Sequence, residues 1–105
     1  MQQIEEVVKR EKLPPQSIEA EVAVLGSMLI DEDAIAQGVE LLTSQTFYKD
    51  AHKRIFQSMV DLFNKNKAVD LVTLTDSLDR EGALDVAGGA SYLAYLTTAV
   101  PTAAN

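Results

Sequence analysis

Residues Phe47 to Asn66 read FYKDAHKRIFQSMVDLFNKN and hold all three phenylalanines and the only histidine of the chain. At helical spacing Tyr48, Ala51/His52, Ile55/Phe56, Met59/Val60 and Leu62/Phe63 recur every three to four residues, while Asp50, Lys53/Arg54, Gln57, Asp61 and Asn64/Lys65 fall opposite. The stretch predicts one long amphipathic helix. Its apolar stripe is broad, and at about 1.5 to 3 kcal/mol per large side chain buried it is the largest single contributor to a core. The shorter segments on either side are expected to cover it.

Upstream, residues 1 to 12 mix Glu, Lys and Arg with only Ile4, Val7 and Val8 apolar, which reads as a flexible, dispensable tail. Pro14-Pro15 ends it in extended conformation, because a proline pushes the residue before it out of the α region. Ser17 is placed to cap a helix whose first turn carries Glu19 and Glu21, where carboxylates suit the dipole, ahead of the apolar run Val22 to Ile30. Ala23, Gly26 and Ser27 form a narrow strip on it that would let another helix come close. Asp31-Glu32-Asp33 then offers a cap for a short helix with Ile35, Val39 and Leu42 inward. Gly38 inside that helix costs about 1 kcal/mol relative to Ala.

Thr43 to Thr46 is a polar connector into the central helix. Beyond it Asp70 can cap a further helix, with Val69 and Leu74 as a hydrophobic staple, Leu71, Leu74 and Leu78 on its buried face and Gly82 as its stop. Leu84 to Ala87 is a turn ending at Gly88-Gly89, and a last helix, Ala90 to Ala99, buries some of Tyr92, Leu93, Tyr95 and Leu96. No segment alternates in the manner of a strand. The fold class is all-α, a compact orthogonal bundle of five to six helices. Pro101 would start a further helical turn, so the chain is expected to stop short of one.

Composition narrows the function. With 105 residues the chain has room for one core, and its 47% hydrophobic content argues against disorder. No cysteine and a single histidine exclude thiolate and imidazole-rich metal sites. The longest apolar run falls far short of the roughly 20 residues a membrane span needs, and no signal-peptide core is visible at the N-terminus. A net charge of -7 repels phosphate backbones, so proteins, not nucleic acids or membranes, are the expected partners.

No residue cluster carries an evident chemistry. His52 lies at the edge of the apolar stripe, and neither a nucleophile nor an orienting partner can be identified for it, so a structural or surface role is expected. Asp31 and Asp33 have a calcium-loop spacing, but the glycine and closing glutamate of such a loop are missing, and capping accounts for them. Asp76, Asp79, Glu81 and Asp85 read as a solvated acidic face with Arg80 as the one basic partner. Gly88-Gly89 lacks a P-loop pattern and reads as a turn. Lys49, Lys53, Arg54, Lys65 and Lys67 gather basic charge, but the neighbouring aromatics belong to the buried stripe and provide no stacking platform.

Several short stretches in order carry a resemblance. Leu13-Pro14-Pro15-Gln16-Ser17-Ile18-Glu19-Ala20-Glu21, then Ala23-Val24-Leu25-Gly26, then Phe47-Tyr48 with Ala51-His52, resemble the N-terminal domain of the bacterial replicative DNA helicases of the DnaB type. Val69 to Leu74, Gly88 to Leu93 and Val100 to Asn105 resemble the same family, so the likeness runs from Leu13 to the end. Val22 stands where the family often has Gln, and Glu32 where it commonly has Pro.

The resemblance implies a helical head, residues 13 to 105, that is followed in the family by a helical hairpin and a RecA-like ATPase. The parent chain would then be an ATP-dependent DNA helicase of the bacterial cytoplasm. ATP and magnesium would belong to the ATPase, and the head itself would need no cofactor, hold no metal, catalyse nothing and bind no nucleic acid directly. Heads and hairpins of the family form a collar on the hexamer that docks primase, and a helicase loader is a further expected partner. By position, Glu19 and Tyr92 are the candidates for the primase-facing surface; the competing roles are dipole complement for Glu19 and core for Tyr92. Two other classes stay open: a free-standing acidic helical adaptor, and a small hydrolase with only His52 behind it. A GxxxxGK[ST] motif downstream in the gene would separate helicase from adaptor.

Overall fold

The computed structural model describes residues 18–100. The expected tail, the Pro14-Pro15 entry, the Ser17 cap and the Pro101 segment lie outside the described residues. In chain order the elements are α1 (Ile18–Ile30), α2 (Glu32–Leu41), a 3-10 turn (Ser44–Thr46), α3 (Asp50–Asn64), α4 (Leu71–Arg80) and α5 (Ala90–Thr98). The described residues contain no strand. None of their helices is long and apolar enough to cross a membrane.

The central helix α3 starts later than its sequence pattern suggests. Thr43 accepts the Gln45 N–H at 3.2 Å and gives its own N–H to the Thr46 hydroxyl at 3.0 Å, which closes the 3-10 turn inside the expected connector. Phe47 and Lys49 then have extended backbones. In an extended segment successive side chains point to opposite sides. Phe47 is accordingly buried, its ring 5.2 Å from that of Phe56, whereas Tyr48 is 56% exposed and does not belong to the apolar stripe as its spacing suggested. At the other end Asn66 takes φ +60, and the Lys67 and Asn66 N–H groups donate to the Leu62 and Phe63 carbonyls at 2.9 and 3.0 Å. That is a Schellman stop with Asn in the left-handed position.

The caps expected at Asp31 and Asp70 are present. Asp31 accepts the Asp33 N–H at 2.9 Å. Asp70 accepts the Thr73 N–H at 2.9 Å while Thr73 accepts the Asp70 N–H at 3.0 Å, a reciprocal capping box. Val69 packs on the core beside it and Leu74 is buried, as a staple requires. Gly82, at φ +69, closes α4 with the same Schellman geometry, the Ala83 N–H reaching the Leu78 carbonyl at 2.8 Å.

α3 packs against α1, α2 and α4, while α5 closes the bundle against α1 and α4. Leu25, Met28 and Leu29 of α1, Ile55, Phe56 and Met59 of α3, Leu74 and Leu78 of α4, and Leu93 and Leu96 of α5 meet in one core. Phe63 is only partly buried at its margin. The close approach expected of the small-residue strip on α1 occurs at Gly26. Gly26 lies against the Leu96 carbonyl of α5, while Ala23 and Ser27 line a groove with α2 that is rimmed by Val24 and the 73% exposed Leu41.

A further expectation is corrected. The acidic residues of α4 and its exit are not all free on the surface. The Arg54 guanidinium donates to Glu81 at 2.7 Å, Ser58 donates to the same oxygen at 3.1 Å, and Arg80 donates to Asp76 at 2.9 Å. Arg54 therefore ties α3 to the end of α4, and its hydrogen bond holds the Glu81 carboxyl below its ordinary value. A guanidinium fork meeting a carboxylate across a helix interface is invisible to spacing along one chain segment.

Candidate functional site

The polar network inside the bundle is built by residues from three helices. Glu21 sits in the first turn of α1 and is buried there. Its Oε2 accepts the Tyr48 N–H at 2.7 Å, and its Oε1 accepts the Lys49 N–H at 3.4 Å. Lys49 is the N-cap of α3 and supplies no side-chain cap. The Glu21 carboxylate thus satisfies backbone donors at the entrance to α3 from another helix, at the end where the dipole favours negative charge.

The same carboxylate holds His52. Its Oε1 lies 2.7 Å from Nδ1 of the imidazole, which is 0% exposed. On the far side, Nε2 lies 2.6 Å from the Tyr92 hydroxyl of α5. A carboxylate has no proton to give, so Nδ1 carries the hydrogen that Glu21 accepts, and in the neutral ring Nε2 must then accept from Tyr92. Burial pushes the His52 imidazole below its ordinary value and outweighs the upward pull of the Glu21 hydrogen bond and charge, with Lys49 adding to the depression. The ring is neutral in the folded chain at physiological pH. No buried side-chain nitrogen or oxygen of the described residues is left without a hydrogen-bond partner.

Tyr92 is half-buried and is held from several directions. The Lys49 ammonium lies 5.7 Å from its ring centroid, and the Tyr95 ring stacks 5.8 Å away. Gly88, at φ +105, leaves the space beneath it, since a β-carbon there would come within 2.8 Å of Tyr92 Cδ2. Burial raises the Tyr92 phenol above its ordinary value, with the charges of Tyr95 and Glu21 acting the same way. The hydroxyl therefore stays protonated and donates to His52. Tyr95, 51% exposed, carries the aromatic surface outward from this point.

Glu19 lies outside the network. It is exposed in the first turn of α1, and two residues of separation on a helix turn it away from Glu21. The structure thus joins one of the two candidate site residues, Tyr92, to the histidine and leaves the other on open surface. Glu21 was missed as a site residue because it reads as an ordinary first-turn carboxylate. The expected structural role of His52 is what the geometry displays, since it is a fully enclosed bridge between α1 and α5. The imidazole itself is fully enclosed by the bundle. Among the described residues no group of His, Asp and Glu could hold a metal ion.

Helix order and the single shared core together define an all-α domain. The family described as DnaB-like helicase N terminal domain matches residues 13–105, and the chain belongs to that family. It is 50% identical over 94 residues to the replicative DNA helicase DnaB of Rhodothermus marinus, covering 90% of this chain and 10% of that protein. To the replicative DNA helicase DnaB of Geobacillus stearothermophilus it is 47% identical over 95 residues, covering 90% of this chain and 21% of that one. Among solved structures, the N-terminal domain of DnaB helicase from Mycobacterium tuberculosis matches with a TM-score of 0.80 at 46% identity, covering 88% of this chain and 67% of the other. The chain thus spans only a tenth to a fifth of the length of these curated relatives.

Proposed function

We propose that the chain is the protein-interaction head of a replicative DNA helicase, forming with its copies the collar of a hexamer and docking primase during chromosome replication. The observation that carries this is the family match over residues 13–105 in an all-α fold. In this reading the parent protein is an ATP-dependent DNA helicase of the bacterial cytoplasm, with a helicase loader as a further partner. ATP and magnesium act in its motor domain, and the head itself uses no cofactor. The acidic surplus of -7 favours protein partners over DNA for the head.

Tyr92 is the residue type that most often anchors an interface, and here its ring is already fixed before any partner arrives. Glu19, exposed at the start of α1, would act through charge, on association rate and salt dependence. Titration calorimetry of wild type, Tyr92→Ala and Glu19→Ala against the helicase-binding region of the cognate primase tests the reading, with circular dichroism to confirm folding. Binding is expected to be weaker than that of an intact helicase, in which several subunits present the surface together. Folded variants that both bind like wild type would move the primase surface elsewhere.

A further inference from the structure

We propose that the buried Glu21–His52 pair fixes the polarity of the Tyr92 hydroxyl, so that the hydroxyl offers a partner only its lone pairs and takes a hydrogen-bond donor there. The inference rests on Tyr92 being partner-facing, as proposed above. A phenol oxygen has one proton and two lone pairs. The Glu21 carboxylate takes the Nδ1 hydrogen of His52 at 2.7 Å, which leaves Nε2 bare, and the Tyr92 proton is committed to it at 2.6 Å. Only lone pairs remain for anything outside.

The partner group follows from the surroundings. Lys49 already places a positive charge over the Tyr92 ring at 5.7 Å, so a second cation meets repulsion there. A neutral donor, a backbone or side-chain amide N–H, fits. His52 acts through Tyr92 without touching the partner and is a positioning residue. Protonating it would invert the arrangement, because Nε2–H would then donate to Tyr92 and the phenol proton would turn outward. The titratable groups set against His52 are Glu21 from α1, Lys49 at the start of α3 and Tyr92 from α5, with Tyr95 stacked behind Tyr92.

Two measurements on the whole chain test this. Nitrogen-15 NMR of His52 at neutral pH should show Nδ1 protonated and Nε2 bare, with a slowly exchanging Tyr92 hydroxyl proton bonded to Nε2. An Nε2–H tautomer overturns the proposal without reference to any partner.

The second measurement is calorimetry against the helicase-binding region of primase, with folding confirmed by circular dichroism. Tyr92→Phe should bind about three- to tenfold more weakly, the size of one hydrogen bond. His52→Gln should weaken binding when Tyr92 is present and add nothing on top of Tyr92→Phe. Wild-type affinity should fall as His52 is protonated, while that of Tyr92→Phe stays level. If Tyr92→Ala weakens binding and Tyr92→Phe does not, the ring is the contact and the polarity inference fails alone. If neither changes binding, the partner-facing reading fails as well. Should His52→Gln not fold, the tautomer and the pH profile of Tyr92→Phe decide the question.

Discussion

Gly26 of α1 faces the carbonyl oxygen of Leu96 in α5 with no space between them for a β-carbon, and the Val100 side chain closes the same spot. The obstacle is backbone, which cannot rotate aside. Gly26→Ala should therefore force α1 and α5 apart and destabilise the domain by about 1 to 3 kcal/mol, in spite of alanine's better helix propensity. Gly38 is the contrasting case, because its β-carbon would meet the flexible end of Met28. Gly38→Ala should fall close to wild type in urea melts. Equal losses at the two glycines would show that the α1–α5 approach is not a constraint.

Phe56, 1% exposed, sits at the centre of the core, whereas Phe63 lies at its margin. Phe56→Ala should cost about 3 to 5 kcal/mol and Phe63→Ala distinctly less, since part of that ring already meets water. The ranking is what denaturant midpoints check. A Phe63 loss as large as that of Phe56 would place the core nearer the end of α3.

Stability should fall on mild acidification. The folded-state pKa of His52 lies below its ordinary value of 6.5, so between the two the unfolded chain binds the extra proton. Stability from this source is complete above about pH 6.5 and declines below it until the folded-state value is passed. Glu81, also lowered, contributes stability present above its ordinary value of 4.5 and lost as pH falls through its folded value. Thermal melts at about pH 7.5 and about pH 5.5 should separate for wild type and coincide more closely for His52→Gln, because histidine is the one side chain whose ordinary pKa falls in that window.

Phosphate chemistry is expected to be absent from this chain. With the acidic surplus of -7, no ATP turnover and no steeply salt-dependent DNA binding should be measurable. Sub-micromolar DNA affinity that weakens with salt would return attention to Lys49, Lys53 and Arg54, although Arg54 is already engaged by Glu81 at 2.7 Å.

Local signals were legible in the sequence, and distant partnerships were not. Asp31, Asp70 and Gly82 announce their helix ends because a cap and its targets lie within a few residues of each other. The apolar stripe of α3 was readable for the same reason. It overreached at Tyr48, where helical periodicity was extended through a segment whose extended backbone reverses inside and outside. Glu21, His52 and Tyr92 stand 31 and 40 residues apart, and Arg54 and Glu81 stand 27 apart. No pattern along the chain encodes such pairs, since they exist only once α1, α3, α4 and α5 are assembled.

The carboxylate of Glu21 gives the assembly a built-in gauge of helix docking. The Tyr48 N–H belongs to no helix ladder, and its acceptor is the Glu21 oxygen 2.7 Å away on α1. Deuterium replaces that hydrogen when the start of α3 and α1 part from each other, whereas amides at the centre of α3 wait for wider opening. The protection of the Tyr48 amide thus reports how far the contact between α1 and the start of α3 favours the closed state. A partner that clamps α1 onto the bundle would slow it without touching Tyr48 itself.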